Sequence, residues 1–149
     1  MRRRDFLVRG GALGALLGGA WPAARATPQE MQDAMRKVTG NDPVRPDRVT
    51  LELPPLVENG NSVPLTIRID SPMTAQDHVL AIHVFVERNP QPNVATFHLG
   101  PRAGRATVST RIRLADSQTV TALCQMSDGS FWSGSAQTIV TLAACTETS

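Results

Sequence analysis

From Val49 onward apolar residues recur at every second position, and this period of two constrains the 149-residue chain more than any other feature. Successive side chains of an extended strand point to opposite faces, so such a run is a strand with one face turned to a core. Val49, Leu51 and Leu53 alternate with polar neighbours. Val63, Leu65, Ile67 and Ile69 do the same against Pro64, Thr66, Arg68 and Asp70. Leu80, Ile82, Val84 and Val86 form a third run, with Ala81, His83 and Phe85 on its reverse. Phe97 and Leu99 make a short fourth. Val108, Thr110, Ile112 and Leu114 stand against Ser109, Arg111 and Arg113, a polar strand face open to solvent. Val120 to Met126 and Phe131 to Leu142 supply the rest. Turn residues separate the runs at Glu58-Asn59-Gly60-Asn61, Ser71-Pro72, Asn89-Pro90-Gln91-Pro92, Gly100-Pro101 and Asp128-Gly129-Ser130. Short strands at this spacing predict an all-β fold, an immunoglobulin-like antiparallel β-sandwich. Asp128-Gly129 predicts a hairpin, and Pro64 predicts an edge position for its strand.

One short helix precedes the strands. Thr27-Pro28-Gln29-Glu30 reads as a capping box, with Thr27 as N-cap and Pro28 at the first helical position. Met31, Ala34, Met35 and Val38 then fall on one apolar stripe, and Gly40 ends it. A methionine stripe at this spacing is read as packing.

The first 26 residues have the form of a twin-arginine signal peptide. Arg3-Arg4 is followed by Asp5 and then Phe6-Leu7, an apolar stretch runs from Gly10 to Ala20, and Ala24-Arg25-Ala26 fits the small-x-small cleavage rule. The 11-residue apolar stretch falls short of the roughly 20 residues needed to span a bilayer. Export to a periplasm is therefore expected, with a domain over residues 27–142 and a tail over 143–149. Removing residues 1–26 takes away five arginines and one acid. The remainder holds 10 basic against 12 acidic residues, so its net charge is −2 rather than the +2 of the whole chain. The basic balance belongs to the signal, and neither nucleic acid nor a membrane surface is indicated as a partner.

Little in the chain suggests self-contained catalysis. His78, His83 and His98 are spaced by 5 and 15 and form no recognised metal pair. The carboxylates are scattered, tyrosine is absent, and there is no nucleophile elbow or glycine-rich phosphate loop. Neither a cofactor nor a metal is expected.

Two cysteines remain. Cys124 alternates with Val120, Ala122 and Met126, which puts it on the inward face of a strand as a small hydrophobe. Cys145 lies beyond the last apolar residue, in Ala143-Ala144-Cys145-Thr146-Glu147. In an exported protein an intramolecular disulfide, an intermolecular one and an accessible thiol are all open. A thiol of ordinary pKa is only about 3% thiolate at pH 7. Glu147 would raise that pKa, so activation of Cys145 would come from a partner's active site. From Leu142 to Cys145 the chain reaches about 10 Å at most.

Several stretches resemble the SoxY family of the periplasmic thiosulfate-oxidising system. They are Leu53-Pro54-Pro55-Leu56-Val57-Glu58-Asn59-Gly60-Asn61-Ser62-Val63-Pro64, Asp70-Ser71-Pro72-Met73, Asn89-Pro90-Gln91-Pro92, Arg111-Ile112-Arg113-Leu114-Ala115 and Met126-Ser127-Asp128-Gly129. The resemblance implies a sulfur-compound carrier subunit, not an enzyme, paired with a SoxZ-like β-sandwich subunit. Cys145 matches the family's C-terminal cysteine and would be the site of covalent substrate attachment. A c-type cytochrome would conjugate thiosulfate to it and a hydrolase would then release sulfate. The family's cysteine normally stands in Gly-Gly-Cys-Gly-Gly, and this chain departs from that on both flanks. The alternative is a docking or scaffold module that binds a SoxZ-like partner or an exported oxidoreductase while Cys145 carries nothing. Both readings predict a hydrophobic dimerisation face on one sheet.

Overall fold

The computed structural model describes residues 25–144. Residues 1–24, most of the expected signal peptide, and residues 145–149, with Cys145, lie outside the described residues. Helix α1 (Pro28–Thr39) has the predicted capping box, in which Thr27 Oγ1 accepts from the Glu30 N–H and Glu30 Oε2 accepts from the Thr27 N–H. At Gly40 the helix ends with the glycine N–H donating to the Arg36 carbonyl. No helix among the described residues is long and apolar enough to cross a membrane.

Nine strands follow among the described residues, β1 (Val44–Arg45), β2 (Val49–Glu52), β3 (Leu56–Val57), β4 (Val63–Ile69), β5 (Val79–Val86), β6 (Asn93–His98), β7 (Thr107–Ile112), β8 (Gln118–Met126) and β9 (Phe131–Val140). They form two facing sheets. One has the order β1-β9-β8-β5-β6 with β3 also paired to β9, and the other is β2-β4-β7. All pairings are antiparallel except the two-residue ladders of β1 and β3 on β9, which are parallel. The chain thus begins beside β9 at Val44, crosses into the other sheet as β2, and returns to β9 at Leu56. Where it crosses, a side chain at Gly134 would bring its Cβ within 2.4 Å of the Val49 carbonyl oxygen, so the crossing requires glycine there. Arg45 and Arg48 lie over the Trp132 ring at 5.2 and 5.0 Å and pin the same crossover to β9.

The inward residues of both sheets form one core, with Val63, Leu65, Ile67, Ile82, Val84, Leu114, Val120, Ala122, Cys124 and Met126 all buried. A second cluster lies outside the larger sheet, where Met31, Ala34, Met35 and Val38 of α1 cover Phe85, Leu123 and Phe131. A 12-residue helix is marginal alone. Burying Phe85 and Leu123, worth about 1.5–3 kcal/mol each, is what holds it.

The structure departs from the alternation in two places. The period of two puts Leu80 on the core face, but β5 carries an irregularity between Val79 and Ala81 that hands the inward position to Val79 and leaves Leu80 exposed. Pro64 does not mark an edge strand, because β4 is the central strand of its sheet. β2, however, pairs only with Thr66–Ile69, so Pro64 sits in the half of β4 that β2 does not reach. Of the outer face of the larger sheet, α1 covers the part that carries Phe85, Leu123 and Phe131. That of the smaller sheet carries Thr50, Glu52, Thr66, Arg68, Ser109 and Arg111, with a hydrogen bond between the Thr66 and Ser109 hydroxyls and one from Arg68 to Glu52.

The root of the tail is fixed by backbone contacts. The Thr141 N–H donates to the Val57 carbonyl and the Gly60 N–H donates to the Leu142 carbonyl, 2.8 Å away. The Leu114 N–H donates to the Gly60 carbonyl, and the Ala144 N–H donates back to the Leu114 carbonyl at 3.1 Å. A Cβ on Gly60 would stand 2.3 Å from the Leu114 carbonyl oxygen and 2.9 Å from the Ala144 nitrogen, all of it backbone. Gly60→Ala should therefore force these segments apart, at a cost of about 1–3 kcal/mol. Amide hydrogen exchange should speed up at Leu114 and Ala144 while the centre of β8 stays protected. Unchanged exchange at both would show that the junction does not hold the tail.

His83 supplies a second test. Its ring stacks on Phe85 at 6.2 Å and its Nδ1 is 3.2 Å from Thr96 Oγ1. Burial, and then the neighbouring His98, lower its pKa below the usual 6.5. The folded state therefore favours neutral His83, and the unfolded state binds the proton first. The contribution to stability is full above about pH 6.5 and is lost as the pH falls through the folded value. Tm should fall less steeply between about pH 7 and 5 in His83→Gln than in the parent. Parallel curves would remove His83 from the acid response.

Candidate functional site

The predicted attachment residue, Cys145, lies outside the described residues, so the site is defined by the chain that delivers it. That chain is held through Ala144, whose side chain is buried and whose N–H is bonded to Leu114. The tail therefore does not swing from Leu142. The last described residue, Ala144, is the one before the cysteine, and consecutive Cα atoms stand about 3.8 Å apart across a trans peptide.

Three segments build this root. β9 runs out through Thr141, whose hydroxyl donates to the Glu58 carbonyl. The turn after β3 brings Gly60, and Asn59 Oδ1 accepts from the Asn61 N–H to close that turn. The link between β7 and β8 brings Leu114. This link is held from below by Asn89, which the sequence marks only as a turn residue. Asn89 Nδ2 donates to the Arg113 carbonyl, while Asn89 Oδ1 accepts from the Ala115 N–H and from Gln118 Nε2. Gln118 Oε1 in turn accepts from the Arg88 N–H. Both amides are buried, so this network is the alternative to leaving several backbone groups unsatisfied. Asn89 also accepts from the N–H of Ala26, the last residue of the expected signal.

Cys124 is where the alternation put it, fully buried on the inner face of β8 with its thiol 3.6 Å from the Met126 sulfur. Burial pushes its pKa up to about 12, against a weaker opposing pull from Arg48. As a neutral thiol inside the core it is neither nucleophilic nor open to exchange. A bridge from it to the tail would require the core to open.

The remaining candidates are dispersed. His83 and His98 are brought onto one face of β5 and β6, which their spacing of 15 concealed. His78 stands apart, with Nδ1 on the Thr74 carbonyl. No group of three or more His, Cys, Asp or Glu side chains among the described residues is placed to hold a metal ion. Arg111 donates to Ser62 Oγ, and Arg113 is exposed one residue before the Leu114 carbonyl that receives the tail.

Comparison with known proteins connects this geometry to a family. A search of curated proteins finds no match. Among solved structures, the chain is similar to the sulfur carrier protein SoxY from Chlorobium limicola f thiosulfatophilum. Identity is 26%, the match covers 76% of this chain and 98% of that one, and the TM-score is 0.64. A putative superoxide reductase from Thermotoga maritima (23% identity, 62% of this chain and 84% of that one, TM-score 0.53) shares the fold. So does the neelaredoxin-type superoxide reductase from Ignicoccus hospitalis (15% identity, 77% and 94%, TM-score 0.56). At those identities the likeness concerns architecture alone. The family described as sulfur oxidation protein SoxY matches residues 35–145, from the first helix to the tail cysteine. The chain belongs to the SoxY family of sulfur oxidation proteins.

Proposed function

We propose that this chain is an exported sulfur carrier subunit that holds thiosulfate-derived intermediates covalently on Cys145. A role in sulfur oxidation follows from the family. What supports the finer reading is that one thiol is closed off in the fold and the family match ends on the other. Cys124 is sealed in the core, while the family match ends on Cys145, one residue past a root that the fold holds at the surface of the sandwich.

The chemistry divides between carrier and partners. Oxidative loading joins the Cys145 sulfur to the outer sulfur of thiosulfate, with loss of the thiol proton and two electrons, which a c-type cytochrome would accept. Hydrolysis of the product cleaves its sulfur–sulfonate bond, adds water and releases sulfate with two protons, leaving a persulfide on the cysteine. The carrier supplies neither cofactor nor base in either step. It presents the thiol, and the partner's site activates it. A SoxZ-like subunit would complete the carrier, and the twin-arginine signal would place it in the periplasm.

The flanks of the thiol bear on its partners. Ala144 is buried, which fixes the approach to Cys145 more firmly than a glycine would. Thr146 and Glu147 add bulk and negative charge next to anionic adducts.

Intact-mass measurement of protein from thiosulfate-grown cells tests the proposal. Adducts of sulfur or thiosulfonate mass should be present, should vanish on reduction and should be absent from Cys145→Ser. In native protein iodoacetamide should modify Cys145 and leave Cys124 untouched until the fold is denatured. An unmodified thiol, together with normal sulfur oxidation in the Cys145→Ser strain, would leave a docking module that carries nothing.

A further inference from the structure

The expected leader ends at Ala26, and the chain is held on both sides of that point. Ala26 is only 6% exposed, and its N–H donates to the Asn89 backbone carbonyl at 2.7 Å. On the other side the Thr27 N–H, the nitrogen of the Ala26–Thr27 peptide bond, donates to Glu30 Oε2 at 2.7 Å. Thr27 Oγ1 accepts from the Glu30 N–H, and the Thr27 carbonyl accepts from the Met31 N–H. Met31 is buried in turn in the cluster with Phe85 and Leu123, so the cap is tied to the larger sheet. Arg25 adds little, because its contact with Asp116 is 4.0 Å between exposed groups.

A peptidase takes its substrate as an extended stretch of several residues, with the side chain before the cut in a pocket. Here that side chain is buried in its own fold, and the residue after the cut caps a helix. Proteolysis falls on exposed chain whose backbone is free, which is the opposite condition. We propose that Ala26–Thr27 is a gated processing site, hidden in the folded precursor and cut only when the start of α1 comes away from Asn89 and the larger sheet. This rests on the reading of residues 1–26 as a cleavable export signal. The gate matters on the twin-arginine route because there the leader is removed from a chain that has already folded. Hydrolysis adds water across the bond and leaves a carboxylate on Ala26 and an ammonium on Thr27. The ammonium takes the place of the N–H that meets Glu30, so the mature helix keeps its cap as a charge-assisted bond. Ala26 departs with the leader and the Asn89 carbonyl loses its partner, so the closed state belongs to the precursor alone.

Purified signal peptidase acting on the full-length precursor in detergent tests the gate. The reference is the same precursor with Val84→Asp/Val120→Asp, two fully buried positions whose charges unfold the sandwich and leave the cleavage region unchanged. By mass it should be cut after Ala26. The folded parent should be cut at least about tenfold more slowly, since cleavage of a closed site follows the population of its open form. Met31→Ser/Met35→Ser removes the apolar anchor of α1 without altering residues 25–30, and should bring the rate back toward the reference. Amide exchange at Ala26 and Thr27 should be slow in the parent and fast in this variant. Should the double variant fail to fold, Glu30→Ala, which removes only the cap, should move both readouts the same way. A folded parent cut as fast as the reference, or cleavage unchanged in both variants, would overturn the gate and leave the export signal standing. A reference that is not cut after Ala26 would overturn the reading of the leader itself, and the gate with it.

Discussion

Three separate stretches of chain meet at Gly60 with their backbones too close for any side chain there. The glycine N–H holds the Leu142 carbonyl, its own carbonyl holds the Leu114 N–H, and the Leu114 carbonyl holds the Ala144 N–H. The end of β9, the turn after β3 and the link into β8 are joined by this chain of bonds. Where the tail begins, and hence where a thiol on it can be presented, depends on this junction. Its bonds are backbone to backbone, each worth only about 0.5–1.5 kcal/mol net. The junction is therefore firm enough to fix a direction and is not the main source of stability. Stability comes from the inter-sheet core and from the cluster beneath α1.

The junction has a support of its own. Asn89 sits beneath the Leu114 link and satisfies the Arg113 carbonyl and the Ala115 N–H. A polar side chain buried at such a point sets the position of the link more sharply than apolar contact could, because its partners must be met in direction as well as distance. The Asn89-Pro90 dipeptide therefore serves twice, as a turn outside the sheet and as a brace inside the fold.

The strands and the helix were legible because each follows a local rule. Period-two alternation set β4 at residues 63–69, the capping box set the start of α1, and Asp128-Gly129 set the β8–β9 hairpin. What was not legible is what depends on contacts between distant segments. Leu80 obeys the alternation and is still exposed, because an irregularity in β5 shifts the register and no local signal marks it. Pro64 by itself signals an edge, yet a proline fits a central strand where the neighbouring strand stops short of it. The crossover at Gly134 and the junction at Gly60 are invisible for the same reason. A glycine that is needed for close backbone approach looks, in one sequence, like any glycine in a strand or a turn. The cysteine proposed for attachment is marked in the sequence by position and by family motif, whereas the junction that precedes it came only from the fold.

The shared architecture of SoxY and the superoxide reductases sharpens what belongs to the fold and what to the site. The sandwich is common to both, so it cannot by itself specify carrying. At the end of β9 the backbone of Leu142 and Ala144 is bonded into the junction, and the family match ends on the next residue, Cys145. Ala144 adds its side chain to that arrangement. Its methyl group is buried against the junction, which a glycine could not do. A glycine in its place would leave that contact unmade and the backbone there freer to rotate.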